Sequence, residues 1–154
     1  MKWLLCAIAM MLSVEAGAHR FAPSLLEVRQ LSDQDFTATW KTPAQKVSAI
    51  PIEPQFPSAC TLTSESPWIQ EGTGMLRQIQ LTCPGGIVGR PLSVTGLGEN
   101  QSSALLRIYL ADDIFHQAVF TADKPSFLVP AEGTPSAVIL DYSWLGAEHI
   151  WAGP

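Results

Sequence analysis

Charge is thin in this sequence, at 15% of 154 residues, and its nine Lys/Arg are scattered. A nucleic-acid site needs a basic patch or stripe to neutralise phosphates, so nucleic acid is set aside as a partner. No CxxC or Cys/His cluster offers a zinc site. There is also no HExxH, no Gly-rich phosphate loop, no Ser/His/Asp frame and no recognisable pair of catalytic carboxylates. Asp112 and Asp113 are neighbours, but in a turn they point apart and read as a solvated hairpin tip. The expectation is a protein that is not an enzyme. No internal repeat and no low-complexity run appears, and the length predicts one domain.

Three cysteines are present, and the N-terminus says which of them matter. Lys2 supplies a short positive region, Trp3 to Val14 an apolar region, and Ala16-Gly17-Ala18 a small-residue cleavage site, the form of a secretory signal peptide. Its apolar run is short for a bilayer span, which needs about 20 residues; an uncleaved anchor is the alternative. Residues 1–18 are thus expected to form a signal-peptide helix, cut between Ala18 and His19. Cys6 leaves with it, and Cys60 and Cys83 remain in an oxidising compartment, where a disulfide between them is expected. Losing Lys2 and Glu15 leaves the net charge at −5, a mildly acidic exported protein.

The chain beyond the cleavage site is rich in strand signals. Leu25 to Leu31 reads as a first strand, Ser32-Asp33-Gln34-Asp35 as a turn, and Phe36 to Lys41 alternates cleanly, with Phe36, Ala38 and Trp40 on one face. The two form a hairpin. Val47 to Glu53 is a weaker strand. Pro51, Pro54 and Pro57 place it at an edge, because proline cannot donate to a central ladder. Cys60 and Leu62 share a face, as do Ile79, Leu81 and Cys83 in the run Met75 to Cys83, which puts both cysteines on inward parities. Leu92 to Leu97, Leu105 to Ala111, Phe115 to Thr121 and Phe127 to Val129 complete eight or nine short strands. The fold expected over residues 19–131 is all-β, an antiparallel β-sandwich. The Cys…Trp…Cys spacing of true immunoglobulin domains is absent, so only an Ig-like architecture is implied.

The last stretch differs. Thr134 is a helix N-cap and Pro135 suits the first helical position. From there the chain runs to Pro154 with Asp141, Glu148 and His149 as its only side chains that ionise at or below neutral pH. A chain end is normally polar and frayed, so an apolar continuation is expected. Residues 132–154 are therefore read as a linker and the start of a juxtamembrane helix that enters the membrane. The alternative is a C-terminal helix laid on the sandwich.

Leu145-Gly146-Ala147-Glu148-His149-Ile150-Trp151-Ala152-Gly153 resembles the start of the first membrane helix of the HupE/UreJ family. Gly146, His149, Ile150 and Gly153 match a pattern that continues in the family with an Asp-His pair. The opening His19-Arg20-Phe21-Ala22-Pro23-Ser24-Leu25-Leu26-Glu27-Val28 is similar to the start of the extracytoplasmic domain found in one branch of that family. Cys83-Pro84-Gly85-Gly86 and then Gly89-Arg90-Pro91-Leu92 also resemble it, less specifically. The resemblance implies an outward-facing domain, on the periplasmic side of the inner membrane, of a protein associated with nickel or cobalt transport. Without the membrane helices it would be a free periplasmic domain.

Two residues are candidates for metal. His19, once it is the first residue, joins an α-amine and an imidazole, which suit nickel, cobalt or copper ions; its bland reading is a residue next to a cleavage site. His149 matches the first half of the family's membrane pattern, and an ionisable group at membrane depth is costly and so functional. In an isolated chain it is a solvated histidine. His116 shares parity with Ala118 and Phe120 and reads as a partly buried, hydrogen-bonded core histidine. The reading from another class is a non-catalytic interaction module that binds a protein or a membrane surface through Tyr142, Trp144 and Trp151.

Overall fold

The computed structural model describes residues 23–131. The expected signal peptide, the expected Ala18–His19 cleavage site, His19, His149 and the segment 132–154 lie outside the described residues, as do both expected helices. The described chain is all-β and carries ten strands: β1 (Ser24–Gln30), β2 (Asp35–Pro43), β3 (Glu53–Gln55), β4 (Thr61–Glu65), β5 (Ile69–Glu71), β6 (Gly74–Thr82), β7 (Pro91–Thr95), β8 (Ala104–Tyr109), β9 (Phe115–Phe120) and β10 (Ser126–Leu128).

These make two sheets. The larger has seven strands in the order β4-β6-β2-β1-β8-β9, with β5 also paired to β6; the smaller runs β10-β7-β3. Their buried side chains belong to one hydrophobic cluster, in which Leu26, Trp40 and Leu106 of the larger sheet join Leu92 and Val94 of the smaller. The arrangement is sandwich-like. Strict alternation builds it: along β2 the residues at Phe36, Ala38 and Trp40 are buried while Thr37, Thr39 and Lys41 are partly exposed, as a pleat with period two requires.

The expectation of a purely antiparallel fold needs correction. β1 pairs antiparallel with β2, through Leu26 opposite Trp40, but it pairs parallel with β8, through Leu26 beside Leu106. A parallel pair needs a long crossover, and here everything from β2 to β7 lies between the partners. Alternation within a strand is blind to the direction of its neighbour, so the mixed sheet was not visible in the residue pattern.

The weak third strand shrinks to Glu53–Gln55, the edge of the smaller sheet. The residues before it are held as a loop by Asn100, itself buried at 3% exposure. The Asn100 side-chain amide donates to the carbonyls of Ile50 and Gly96 at 2.8 Å each, and its Oδ1 accepts from the Ser48 amide at 3.2 Å. Gly96 lets that loop come close: its φ is +77°, and a Cβ there would stand 2.2 Å from the Pro51 carbonyl oxygen. Glycine alone fits such a position.

Leu62 is a second correction. It does pair with Leu81 and so has inward parity, yet it is 51% exposed. All five residues of β4 and all three of β5 are exposed. Three strands cannot cover the inward face of seven, and the uncovered part is the β4–β5 edge. β5 was missed in the sequence because it has only three residues, set off from β4 by Pro67.

Candidate interaction site at the open edge of the larger sheet

The inward face of β6 carries Met75, Arg77, Ile79 and Leu81 in register with Thr42, Trp40, Ala38 and Phe36 of β2. Arg77 is thus a guanidinium in a core row. Its side chain is 17% exposed, and burying a charge is expensive unless it is paired and hydrogen-bonded. The fold supplies the pairs from two directions. Arg77 Nη2 donates to Glu53 Oε2 on β3, and Arg77 Nη1 donates to Glu65 Oε1 on β4. The two carboxylate side chains are themselves 31% and 34% exposed. The Trp68 ring lies over the guanidinium, 4.6 Å from its centre, in the geometry of a cation–π contact.

Arg77 therefore ties the larger sheet to the smaller one through Glu53 and to its own edge strand through Glu65. The inward side of this edge presents Trp68 at 39% and, opposite Leu81, Leu62 at 51% exposure, while Ile69, opposite Leu76, is 58% exposed on the other face. Exposed apolar side chains next to paired charges are a surface feature that proteins use to recognise partners. Arg77 was not singled out from the sequence. The signal was available: an arginine at inward parity, between Met75 and Ile79 in a strand whose other inward residues are apolar.

Cys60 and Cys83 form a disulfide across a sequence separation of 23, with Cα atoms 4.0 Å apart. It fastens the residue before β4 to the residue after β6. Cys83 has no exposure and Cys60 is partly buried against the core cluster. So the expected bridge is present, and it pins the edge strand that packing leaves uncovered.

His116 sits opposite Ile108 in the β8–β9 pair and has no exposure, deeper than the partly buried position expected. Its ring centroid lies 6.4 Å from that of Phe127 on β10. Burial lowers its pKa below 6.5 by disfavouring the charged form. Asp112 and Asp113 do form an exposed hairpin tip, both with positive φ. Behind it, on the outer face, Arg29 lies 4.0 Å from the Tyr109 ring centroid, and the Tyr109 and Phe115 rings are 5.1 Å apart. Asp35, at the other hairpin turn, accepts from Thr82 Oγ1 at 2.8 Å and from Ser32 Oγ at 2.9 Å. These bonds to its charged form hold its pKa below 3.8.

A cleft of about 380 Å³ opens where the described chain begins, lined by Pro23, Thr42, Pro43, Gln45 and Gln70 among others. Its single charged lining residue, Lys41, is paired with Glu71 at 2.6 Å. Among the described residues no group of three or more His, Cys, Asp or Glu side chains is placed to hold a metal ion. The metal candidates His19 and His149 are beyond those residues. Among the described residues, too, no helix is long and apolar enough to cross a membrane. Compared with known proteins, the chain matches no family model and no curated sequence.

Proposed function

We propose that this chain is an exported, non-catalytic β-sandwich domain that faces outward from the membrane. It acts as the extracytoplasmic part of a protein resembling the HupE/UreJ family and associated with divalent metal (nickel or cobalt) transport. The observation that carries the exported part is the Cys60–Cys83 disulfide. Structural disulfides persist in oxidising compartments and are rare in reducing ones, and this one agrees with a sequence that opens like a signal peptide. The transport association is supported by the resemblance of the two ends of the chain, with His19 and His149 as its metal candidates and residues 132–154 as its membrane contact.

Export is tested by producing the chain with its own N-terminus in a bacterial host. The expected product is periplasmic, begins at His19 and has no free thiol under non-reducing alkylation. A cytoplasmic precursor with reactive Cys60 and Cys83 would overturn the reading. Metal capture is tested by calorimetry of the processed protein with Ni²⁺, Co²⁺ and Cu²⁺ against a His19→Ala variant. Binding heats that depend on His19 are expected, and equal heats for both proteins remove His19 from the site.

A second reading has its own observation. Leu62 of β4 and Trp68 of the β4–β5 connection are exposed on the inward side of the open edge, a surface that favours an interaction module binding a protein. Substituting both by Ser would abolish such binding and leave metal heats unchanged.

A further inference from the structure

An edge strand offers a row of backbone groups to any passing chain, and proteins guard such edges with charge, proline, bulges or short length. Most edges among the described residues are guarded. β4 has a register shift between Leu62 and Ser64 and ends on Glu65. β5 and β10 have three residues each, and β3 has Pro54 at its centre. β9 is not guarded. Its residues Phe115-His116-Gln117-Ala118-Val119-Phe120 include no Asp, Glu, Lys, Arg or Pro, and its register to β8 is unbroken. It ends the larger sheet, and among the described residues β8 is its one ladder partner.

The hairpin fixes which backbone groups face the open side. The Leu110 amide donates to the Ile114 carbonyl at 2.9 Å, closing the turn. Opposed residues alternate between bonded and non-bonded pairs, so Ile108–His116 and Leu106–Ala118 are the bonded ones. The N–H and C=O groups of Phe115, Gln117 and Val119 therefore point away from β8.

We infer that β9 docks a second copy of this chain, the two strands pairing antiparallel about a two-fold axis at Gln117. An isologous contact must be self-complementary, and this register is. Gln117 meets Gln117 of the other copy, and Phe115 meets its Val119 on both sides of the axis, each pair exchanging both N–H···O bonds. These side chains share the outer face, where Phe115 is 40% exposed and an aromatic opposite a β-branched residue is a favourable pair. Charge complementarity selects a second copy. Gln117 lies beside Arg107, and Arg107 beside Glu27, so the glutamines keep the two arginines apart. At each end the Asp112–Asp113 tip of one copy comes alongside the Thr121–Lys124 turn of the other, where Lys124 (next to Asp123) supplies the cation. A contact one strand wide is smaller than the standard interface of about 1,600 Å², so the dimer is expected to depend on concentration.

The test is sedimentation velocity of the full chain across a wide concentration series, with Gln117→Lys and Gln117→Glu variants. The wild type should pass from monomer to dimer. Each variant alone places like charges directly opposite each other and should weaken association by about tenfold or more, whereas an equimolar mixture of the two should regain it. A wild type that stays monomeric overturns the inference, as does a Gln117→Lys protein that associates like the wild type or a mixture no tighter than either variant. Hydrogen exchange gives a reading that needs no variant: protection at the Phe115, Gln117 and Val119 amides should rise with concentration, while the Ala118 amide is protected throughout. Full protection of those three amides at the lowest concentration means that the chain covers its own edge, and refutes the second copy.

Discussion

Replacing Cys60 and Cys83 together by Ala should destabilise the protein by about 3.4 kcal/mol. In the chain-entropy model a cross-link removes about 2.1 + 1.5R ln n cal/mol/K from the unfolded ensemble. With the separation of 23 residues as n, that is about 11.4 cal/mol/K, or about 3.4 kcal/mol at 25 °C. The structure adds a location for the loss. β4 has every residue exposed, so little besides its ladder to β6, the Arg77–Glu65 pair and the disulfide holds it. The variant should therefore lose amide protection first at Thr61 to Glu65, ahead of global unfolding. Urea titration with tryptophan fluorescence measures the first effect, where a slope of about 1.5 kcal/mol/M moves the midpoint down by about 2 M. Hydrogen exchange read by NMR measures the second. A midpoint shift below about 0.5 M, with β4 amides as protected as in the wild type, would refute the account of a disulfide pinning an otherwise weak edge.

Gly96→Ala should cost about 3 kcal/mol or more, because φ is +77° and the added carbon meets the Pro51 carbonyl oxygen; thermal unfolding checks it. In the opposite direction, Asp112→Asn with Asp113→Gly should stabilise by about 1 kcal/mol. The Ala111–Ile114 turn has positive φ at both central residues, a type I′ geometry that Asn-Gly adopts with little strain, and a rise in melting temperature reports it. The protein should also lose stability as pH falls below about 6.5. The His116 pKa is depressed by burial, so the unfolded chain takes up the proton first, and the loss levels off once the folded imidazole protonates in turn. Urea midpoints at several pH values should show this slope in the wild type and a flatter one in His116→Gln. Asp35 acts in a lower window: its depressed pKa gives stability present above 3.8 and lost as pH falls through the folded value. Asp35→Asn should flatten the acid limb there.

How much of this the residues disclosed depends on which interactions are local. The β1–β2 hairpin was legible because alternation in Phe36 to Trp40 and the Ser32 to Asp35 turn are short-range signals. The disulfide was legible because Cys60 and Cys83 are the two cysteines outside the N-terminal segment that reads like a signal peptide. Proline placed β3 at an edge for a reason that needs no partner. By contrast, the parallel pairing of Leu26 with Leu106 rests on a long-range crossover that no window contains. Leu62 was placed on the face it shares with Cys60, but parity does not say how far that face is covered, because burial depends on the width of the covering sheet. The Arg77 cluster draws Glu53, Glu65 and Trp68 from separate strands and loops, so spacing alone cannot assemble it.

The position of β1 sets a timetable. It is the first of the described strands, yet its two hydrogen-bonded flanks are β2, which follows at once, and β8, which comes some eighty residues later. A chain emerging N-terminus first must carry one bare edge of that strand, with Leu26 and Val28 beside it, until residues 104–109 appear. Cys60 and Cys83 both precede β8 in the chain, so their cross-link does not depend on closure of the sheet.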